Sequence, residues 1–466
     1  MSIRTTPTTP VGPLDAAHWQ ARLDETATRH GVPGASLGIL HGGTVTEAAT
    51  GFANLDARIE ATTDTLFQIG SITKVWTATV AMGLVDEGAL GLDEPILEVL
   101  PELRLIDDDL TRGVTLRHLL SHTSGIDGDF FVDTGRGDDC LEKYTERLAG
   151  VGVNHPLGAT MSYCNAGFNL VGRVIERITG DRWDDAMRER LYEPLGLTHT
   201  VTLPEDALRF RTAIGHTGTG DDRTGVPQWG LVRSAGPAGL ICSTPREVLA
   251  FARLHLNDGV TADGTRVLSA AGARLMREKQ IDLPNGHTLG DSWGLGWILM
   301  GWDGQRLYGH DGATLGQSAF LRVLPDADLA VCLLTNGGDG RALYGDLFGE
   351  IVDALAGVRV PPPLEPSDGP LPADAADHLG VYEREAVRME VVENDGALTL
   401  RTTVTNGLAM GRQETPVVES ELRSVGGDVY ATRFPGLRDW TAVTFYRLAD
   451  GSPYMHAGVR ATPKVG

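Results

Sequence analysis

Five β-type runs, two near the start of the chain and three much later, constrain the fold more than any other feature. Residues 32–40 and 44–51 flank His41-Gly42-Gly43, the pattern of a hairpin. Residues 306–308, 319–324 and 329–335 form the second group, the last two joined by a turn at 325–328. Between the groups, apolar residues recur at helical spacing. The clearest case is 166–179, where Leu170, Val171, Val174, Ile175 and Ile178 share one face. Thr244-Pro245-Arg246-Glu247 has the form of a capping box with proline at the first helical position, and opens a helix through Leu256. A helix over 14–30, with Leu14, Trp19 and Leu23 inward, precedes the first hairpin, and one over 342–356 follows the last strand. This order predicts an α+β domain over 14–357. One antiparallel sheet, assembled from both ends and flanked by helices, would carry a mainly helical subdomain.

The remainder divides by composition. Residues 1–13 are a Thr/Pro-rich lead expected to be poorly ordered. Residues 358–372 contain six prolines and read as a linker. Residues 373–466 carry runs at 387–393 and 397–404 around Asn394-Asp395-Gly396, and at 441–448 and 454–460 around Ala449-Asp450-Gly451-Ser452. That spacing predicts a small antiparallel β-barrel.

Charge narrows the partners. A net charge of −22 over 466 residues argues against nucleic acid and anionic membrane surfaces, both of which need clustered Lys and Arg. No run approaches the ~18 apolar residues of a membrane span, and the N-terminus lacks the apolar core of a secretory signal. Cys140, Cys164, Cys242 and Cys332 lack metal-ligand spacing and read as free, reduced core residues. The expectation is a cytoplasmic protein of undefined oligomeric state with no metal and no cofactor.

Chemistry concentrates at Gly70-Ser71-Ile72-Thr73-Lys74, at the start of a helix read to about Glu87. Positions i and i+3 share a helix face, so the Ser71 hydroxyl and the Lys74 amine can meet. The chain has only four lysines and otherwise uses arginine, which cannot give up its proton; a desolvated lysine can. Three further stretches follow in order: His118-Leu119-Leu120-Ser121-His122-Thr123-Ser124-Gly125, Tyr163-Cys164-Asn165, and Gly309-His310-Asp311-Gly312. The last reads as a strand ending in a small-residue turn.

In combination, Ser71-x-x-Lys74, Tyr163-x-Asn165 and His310-x-Gly312 resemble the serine β-lactamase and penicillin-binding-protein superfamily. The branch is that of class C β-lactamases, esterases and D-stereospecific peptidases, and the resemblance covers roughly residues 14–356. It implies a β-lactamase/transpeptidase-like domain with Ser71 as nucleophile, Lys74 as its base and Tyr163 as second proton carrier. Asn165 would hold a substrate amide, or cap the following helix. The backbone N–H groups of Ser71 and of Ala313 would form the oxyanion hole. At His310 the β-lactamases and DD-peptidases carry lysine. A group titrating near pH ~6.5 there weakens a fixed carboxylate-binding charge and moves the expectation from β-lactams to esters, peptides or acyl transfer. Cys164 has no paired base and is not read as a nucleophile. His118 and His122 are read as structural, since no His-Glu-x-x-His zinc pattern accompanies them.

The C-terminal barrel resembles the lipocalin-like appendage of some members, among them the penicillin-binding-protein-type thioesterases that cyclise peptides. Arg460, at the end of its last β-type run, is the candidate to bind a substrate carboxylate. The expected activity is transfer of an acyl group from Ser71 to an amine or water, from a small-molecule or peptide ester, thioester or amide. The alternatives are an esterase or D-stereospecific peptidase or amidase, and, from another class, a β-lactam or peptide sensor that is acylated without turnover.

Overall fold

The computed structural model describes residues 15–367, 369, 371–404, 417–434 and 439–466. The lead at 1–13 and Leu14 lie outside the described residues.

The main sheet has nine antiparallel strands. In chain order these are β1 (Gly34–His41), β2 (Thr44–Asn54), β3 (Ile59–Glu60), β4 (Ile281–Asp282), β5 (Ser292–Trp293), β6 (Ile298–Trp302), β7 (Gln305–Thr314), β8 (Gln317–Leu324) and β9 (Leu329–Thr335). Their spatial order is β3-β2-β1-β9-β8-β7-β6-β5-β4. The sheet is assembled from both ends of the domain: β1 pairs with β2 across the hairpin and with β9, Ala35 opposite Thr335. Strands β4 and β5, two residues each, are too short for periodicity to reveal. β7 corrects one expectation. The Gly309–Gly312 stretch lies inside the strand and does not form a turn, with Gly312 paired to Ala319 of β8.

Helices cover both faces. Helix α1 (Ala16–Arg29) starts where the Asp15 carboxylate accepts from the Ala17 and His18 N–H groups, and turns Trp19 and Leu23 inward. It packs with α5 (Gly340–Ala356) over Leu37, Ile39, Val331 and Leu333. Each fully buried aliphatic side chain contributes roughly 1.5–3 kcal/mol. The opposite face, through Leu321, Cys332 and Leu334, meets α2 (Thr73–Asp86), α3 (Asn165–Thr179) and α4 (Pro245–Leu256). Thr244 caps α4 by accepting from Glu247 N–H. The reciprocal half of that capping box is absent, because Glu247 accepts from Thr198 N, His199 N and the Thr200 hydroxyl. All four cysteines are free and buried.

The C-terminal strands are β10 (Gly380–Arg384), β11 (Val387–Asn394), β12 (Ala397–Val404), β13 (Val418–Gly426), β14 (Val429–Thr432), β15 (Thr441–Arg447), β16 (Pro453–Ala457) and β17 (Arg460–Pro463). They pair in sequential order, and a Tyr382–Lys464 bridge joins the ends into a nearly closed barrel. Met389, Leu400, Leu422, Phe445 and Met455 fill its interior. Near closure leaves little free strand edge. The outer face of β15 and β16 sits against the α+β domain, with the Tyr454 hydroxyl donating to Asn154 O at 3.0 Å and Asn285 Nδ2 donating to Thr444 Oγ1 at 2.9 Å. Among the described residues no helix is long and apolar enough to cross a membrane.

Candidate active site

Ser71 lies in a single 3₁₀ turn, Gly70–Ile72, that leads into α2. One helical turn on, Lys74 is fully buried, and its Nζ donates to Ser71 Oγ at 3.0 Å and to Ala238 O at 2.7 Å. Burial, and next the charge of Arg460, push the Lys74 pKa well below its ordinary value. A neutral amine beside a hydroxyl can take its proton. The Ser71 side is only partly covered, so a substrate has access to the oxygen.

Tyr163 precedes α3, and its ring centroid is 4.9 Å from Lys74 Nζ. Burial raises the phenol pKa above its usual range, opposed by interaction with the Ser71 hydroxyl and by the Arg460 charge. It is therefore protonated and able to donate. The helix cap is Cys164 and not Asn165: its Sγ accepts from Gly167 N–H at 3.1 Å. Burial pushes that thiol up to about 12, which leaves it no nucleophilic role. Asn165 is buried in the first turn of α3 and does not cap it.

His122 does more than mark a turn. Its carbonyl accepts from Ser162 N–H at 2.9 Å and its Nδ1 accepts from Cys164 N–H at 2.9 Å, so one residue grips both sides of Tyr163. The His122 and Tyr163 rings lie 4.4 Å apart, tilted by 32°, and Trp293 packs edge-on to both. His118, by contrast, completes a capping box with Thr115.

Strand β7 lies directly against the turn that carries Ser71. A Cβ on Gly312 would sit 1.9 Å from Ile69 O, and one on Gly70 would sit 2.6 Å from Ala313 N. These glycines permit the close contact of two backbones, one carrying Ser71 N and the other Ala313 N. His310 is almost completely buried, and its Nδ1 lies 2.6 Å from Asp311 O. A carbonyl only accepts, so Nδ1 carries the proton and Nε2 presents a lone pair. Burial, with the Lys74 charge second, pushes His310 down to about 3. The expectation of a group titrating near neutrality is thereby corrected: desolvation keeps the imidazole neutral.

Behind it, Asp311 accepts from Arg322 at 2.6 Å and from Arg341 at 2.8 Å. Burial would raise this carboxyl, but the two guanidinium groups outweigh it and hold it at about 2 against an ordinary 3.8. A folded value below the unfolded one gives stability that is present above pH 3.8 and lost as the pH falls toward 2. Asp311→Asn is expected to cost about 2 kcal/mol at neutral pH. Urea unfolding checks this: the difference from wild type must shrink between pH 5 and pH 3, and a constant difference would refute it.

The barrel reaches into this site. Val459 O accepts from Tyr163 N–H at 2.9 Å, and Ala461 N–H donates to Ser162 Oγ at 3.2 Å. Between them Arg460 places its guanidinium carbon 5.2 Å from the Tyr163 ring centroid. Its fork is occupied, with Nη2 donating to Asp129 Oδ1 at 2.6 Å and Nε to Asp129 Oδ2 at 3.1 Å. Arg384 of β10 donates to the same carboxylate at 2.7 Å. In this arrangement Arg460 meets a protein carboxylate in place of a substrate one.

Ser71, Lys74, Tyr163, Asn165, His310, Ala313 and Arg460 thus come from four separate stretches to one site. Sequence reasoning missed Asp129, Arg384 and Val459, which carry no local signal, since Asp129 and Arg460 are 331 residues apart. His122 had a signal, its place in the Ser121–Gly125 stretch, but its contact with Tyr163 depends on a chain reversal. Among the described residues no group of three or more His, Cys, Asp or Glu is placed to hold a metal.

A large antiparallel sheet with helices on both faces, with a partly covered serine bonded to a buried lysine, is the acyl-transfer fold of serine β-lactamases and penicillin-binding proteins. Residues 19–356 match the Beta-lactamase family, and the chain belongs to it. Penicillin-binding protein 4 of Amycolatopsis lactamdurans is 48% identical over 376 residues, 80% of this chain and 99% of that protein. The crystal structure of SurE superposes with a TM-score of 0.80 at 29% identity, covering 97% of this chain and 99% of the other. SurE with D-Leu gives 0.74 at 28% identity over the same shares. D-amino acid amidase from Ochrobactrum anthropi SV3, complexed with L-phenylalanine amide, gives 0.59 at 28% identity, covering 72% of this chain and 95% of the other.

Proposed function

We propose that this protein is a serine acyl-transfer enzyme that forms an acyl-enzyme on Ser71 and passes the acyl group to an amine or water. Its most concrete form is a stand-alone penicillin-binding-protein-type thioesterase that cyclises peptides or joins them to an amine. The observation that carries the reading is the 3.0 Å bond between Lys74 Nζ and Ser71 Oγ, made by a lysine with no exposed surface. Lys74 takes the hydroxyl proton as Oγ bonds to the substrate carbonyl carbon. The Ser71 and Ala313 N–H groups stabilise the resulting oxyanion. Collapse breaks the bond to the leaving group, which takes a proton through Tyr163. The acceptor then enters along the same path, giving its proton to Tyr163 or Lys74, and a proton passes back from this pair to Ser71 Oγ as the ester breaks.

Acyl transfer is preferred to hydrolysis because the barrel hairpin covers Tyr163 and limits water at the acyl-enzyme. Likeness to SurE, solved with D-Leu, and to a D-amino acid amidase supports a D-configured residue in the substrate. Neutral His310 offers no cation to a carboxylate, which disfavours β-lactams. The second reading, an esterase or D-stereospecific amidase, uses the same residues with water as acceptor.

Intact-mass detection across esters, thioesters, β-lactams and D-amino-acid peptides, with free products scored as linear or cyclic, tests the proposal. A Ser71 adduct that resolves into cyclic or amine-joined product is expected. Linear acid alone would establish the hydrolytic reading. A stable adduct without product would make the protein a sensor.

A further inference from the structure

Resting on that reading, we propose that the C-terminal barrel is part of the acylation machinery: Arg460 of the barrel, held by Asp129, keeps Lys74 in its neutral, proton-accepting form. The geometry is specific. The turn before β17 places Gly458 and Val459 at φ 55° and 60°, which folds the hairpin back onto Tyr163. Backbone contacts from Val459 and Ala461, one on each side of Arg460, fix its Cα over the 162–163 segment. All three kinds of guanidinium nitrogen are engaged, two by Asp129 and Nη1 by Gly458 O at 2.9 Å. Lys74 Nζ and the Arg460 guanidinium then share one aromatic ring, at 4.9 and 5.2 Å from its centroid. Two cations so placed in a water-poor site disfavour each other's charge, and a guanidinium cannot relinquish its own.

Burial is the first cause of the lowered Lys74 pKa, and among the charged groups around the amine Arg460 is the one that adds to it. Burial lowers both His122 and His310, so neither is charged at neutral pH. The Cys164 thiol and the Tyr163 phenol keep their protons, because burial raises both. Asp311 acts on Tyr163 but is neutralised by Arg322 and Arg341. Burial would raise Asp129, yet Arg460 and Arg384 outweigh it and keep it ionised. Asp127 accepts from the Asp129 and Glu385 N–H groups and closes the acidic side of the cluster. What remains is one fixed cation that discourages a proton on Lys74 and one carboxylate that favours it. Arg460 is thus a positioning residue acting through Lys74.

The two members of the pair therefore predict opposite results. With a neutral activated ester, which has no carboxylate to bind, the acidic limb of kcat/KM reports Lys74 losing its proton. Arg460→Gln should move that limb up by about one pH unit, and Asp129→Asn should move it down by about half a unit. Arg460→Lys should restore the wild-type limb. A purely structural clamp would lose activity in both variants without moving the limb, or move it the same way in both. Either result overturns the proposal, as does an unrestored limb in Arg460→Lys. A loss confined to carboxylate-bearing substrates, with the limb unmoved, would assign Arg460 to substrate binding. Ester turnover that survives Ser71→Ala would instead refute the functional reading itself, whatever the limbs do.

Discussion

Lys74→Arg lowers the acylation rate by at least ~10³-fold, and Ser71→Ala removes the covalent adduct altogether. Arginine retains the charge and the i, i+3 relation to Ser71, so a lysine serving only as a cation would be replaced with little loss. The buried amine makes two bonds, to Ser71 Oγ and Ala238 O, in a pocket walled by Tyr163 and Phe168. A guanidinium cannot give up its proton there, so Ser71 stays an alcohol. Mass-resolved rapid quench with an activated thioester measures the acylation step directly. Near wild-type acylation by Lys74→Arg, with an unchanged unfolding midpoint, would mean that another group is the base.

Gly312→Ala is expected to lower kcat by about 10²–10³ with a smaller effect on KM. The added Cβ would lie 1.9 Å from Ile69 O and 3.1 Å from Ser71 N, and both are backbone atoms that cannot swing aside. Strand β7 must retreat, which parts the two N–H groups proposed to meet the oxyanion. Ground-state binding depends less on that separation than the transition state does, hence the effect on kcat. Gly349→Ala is the control. It lies within α5 with nothing within 4 Å of its Cβ, and should leave kcat unchanged. Equal kinetics for Gly312→Ala and wild type would remove Ala313 from the proposed oxyanion hole.

Legibility differed from element to element. α3 and the β1–β2 hairpin were plain because one buried face imposes a strict period, 3.6 or 2, on the residues that line it. Strands β4 and β5, with two residues each, offer no period at all. Strands β10, β13 and β14 were also missed: β13 and β14 hold their places by pairing with neighbours on both sides, and β10 by pairing with β11 and by the Tyr382–Lys464 bridge. The stretch around Gly312 was misread for a different reason. Glycine serves turns and close backbone contacts alike, and only the neighbour, Ile69, separates the two.

The sequence by itself determined the parts whose chemistry is local. Ser71 and Lys74 meet because three residues make one turn of helix, and Tyr163 and Asn165 are ordered by the helix that follows them. Tertiary structure decided the electrical character of the site. His310 is neutral because its strand is buried and its Nδ1 is bound to a carbonyl, and Lys74 is surrounded by groups from the middle and the far end of the chain. Burial and long-range charge set protonation, and neither is written in the spacing of a motif. A lysine three residues after a serine is a contact. Enclosed beside Tyr163 and near Arg460 of the barrel, it is the base we propose.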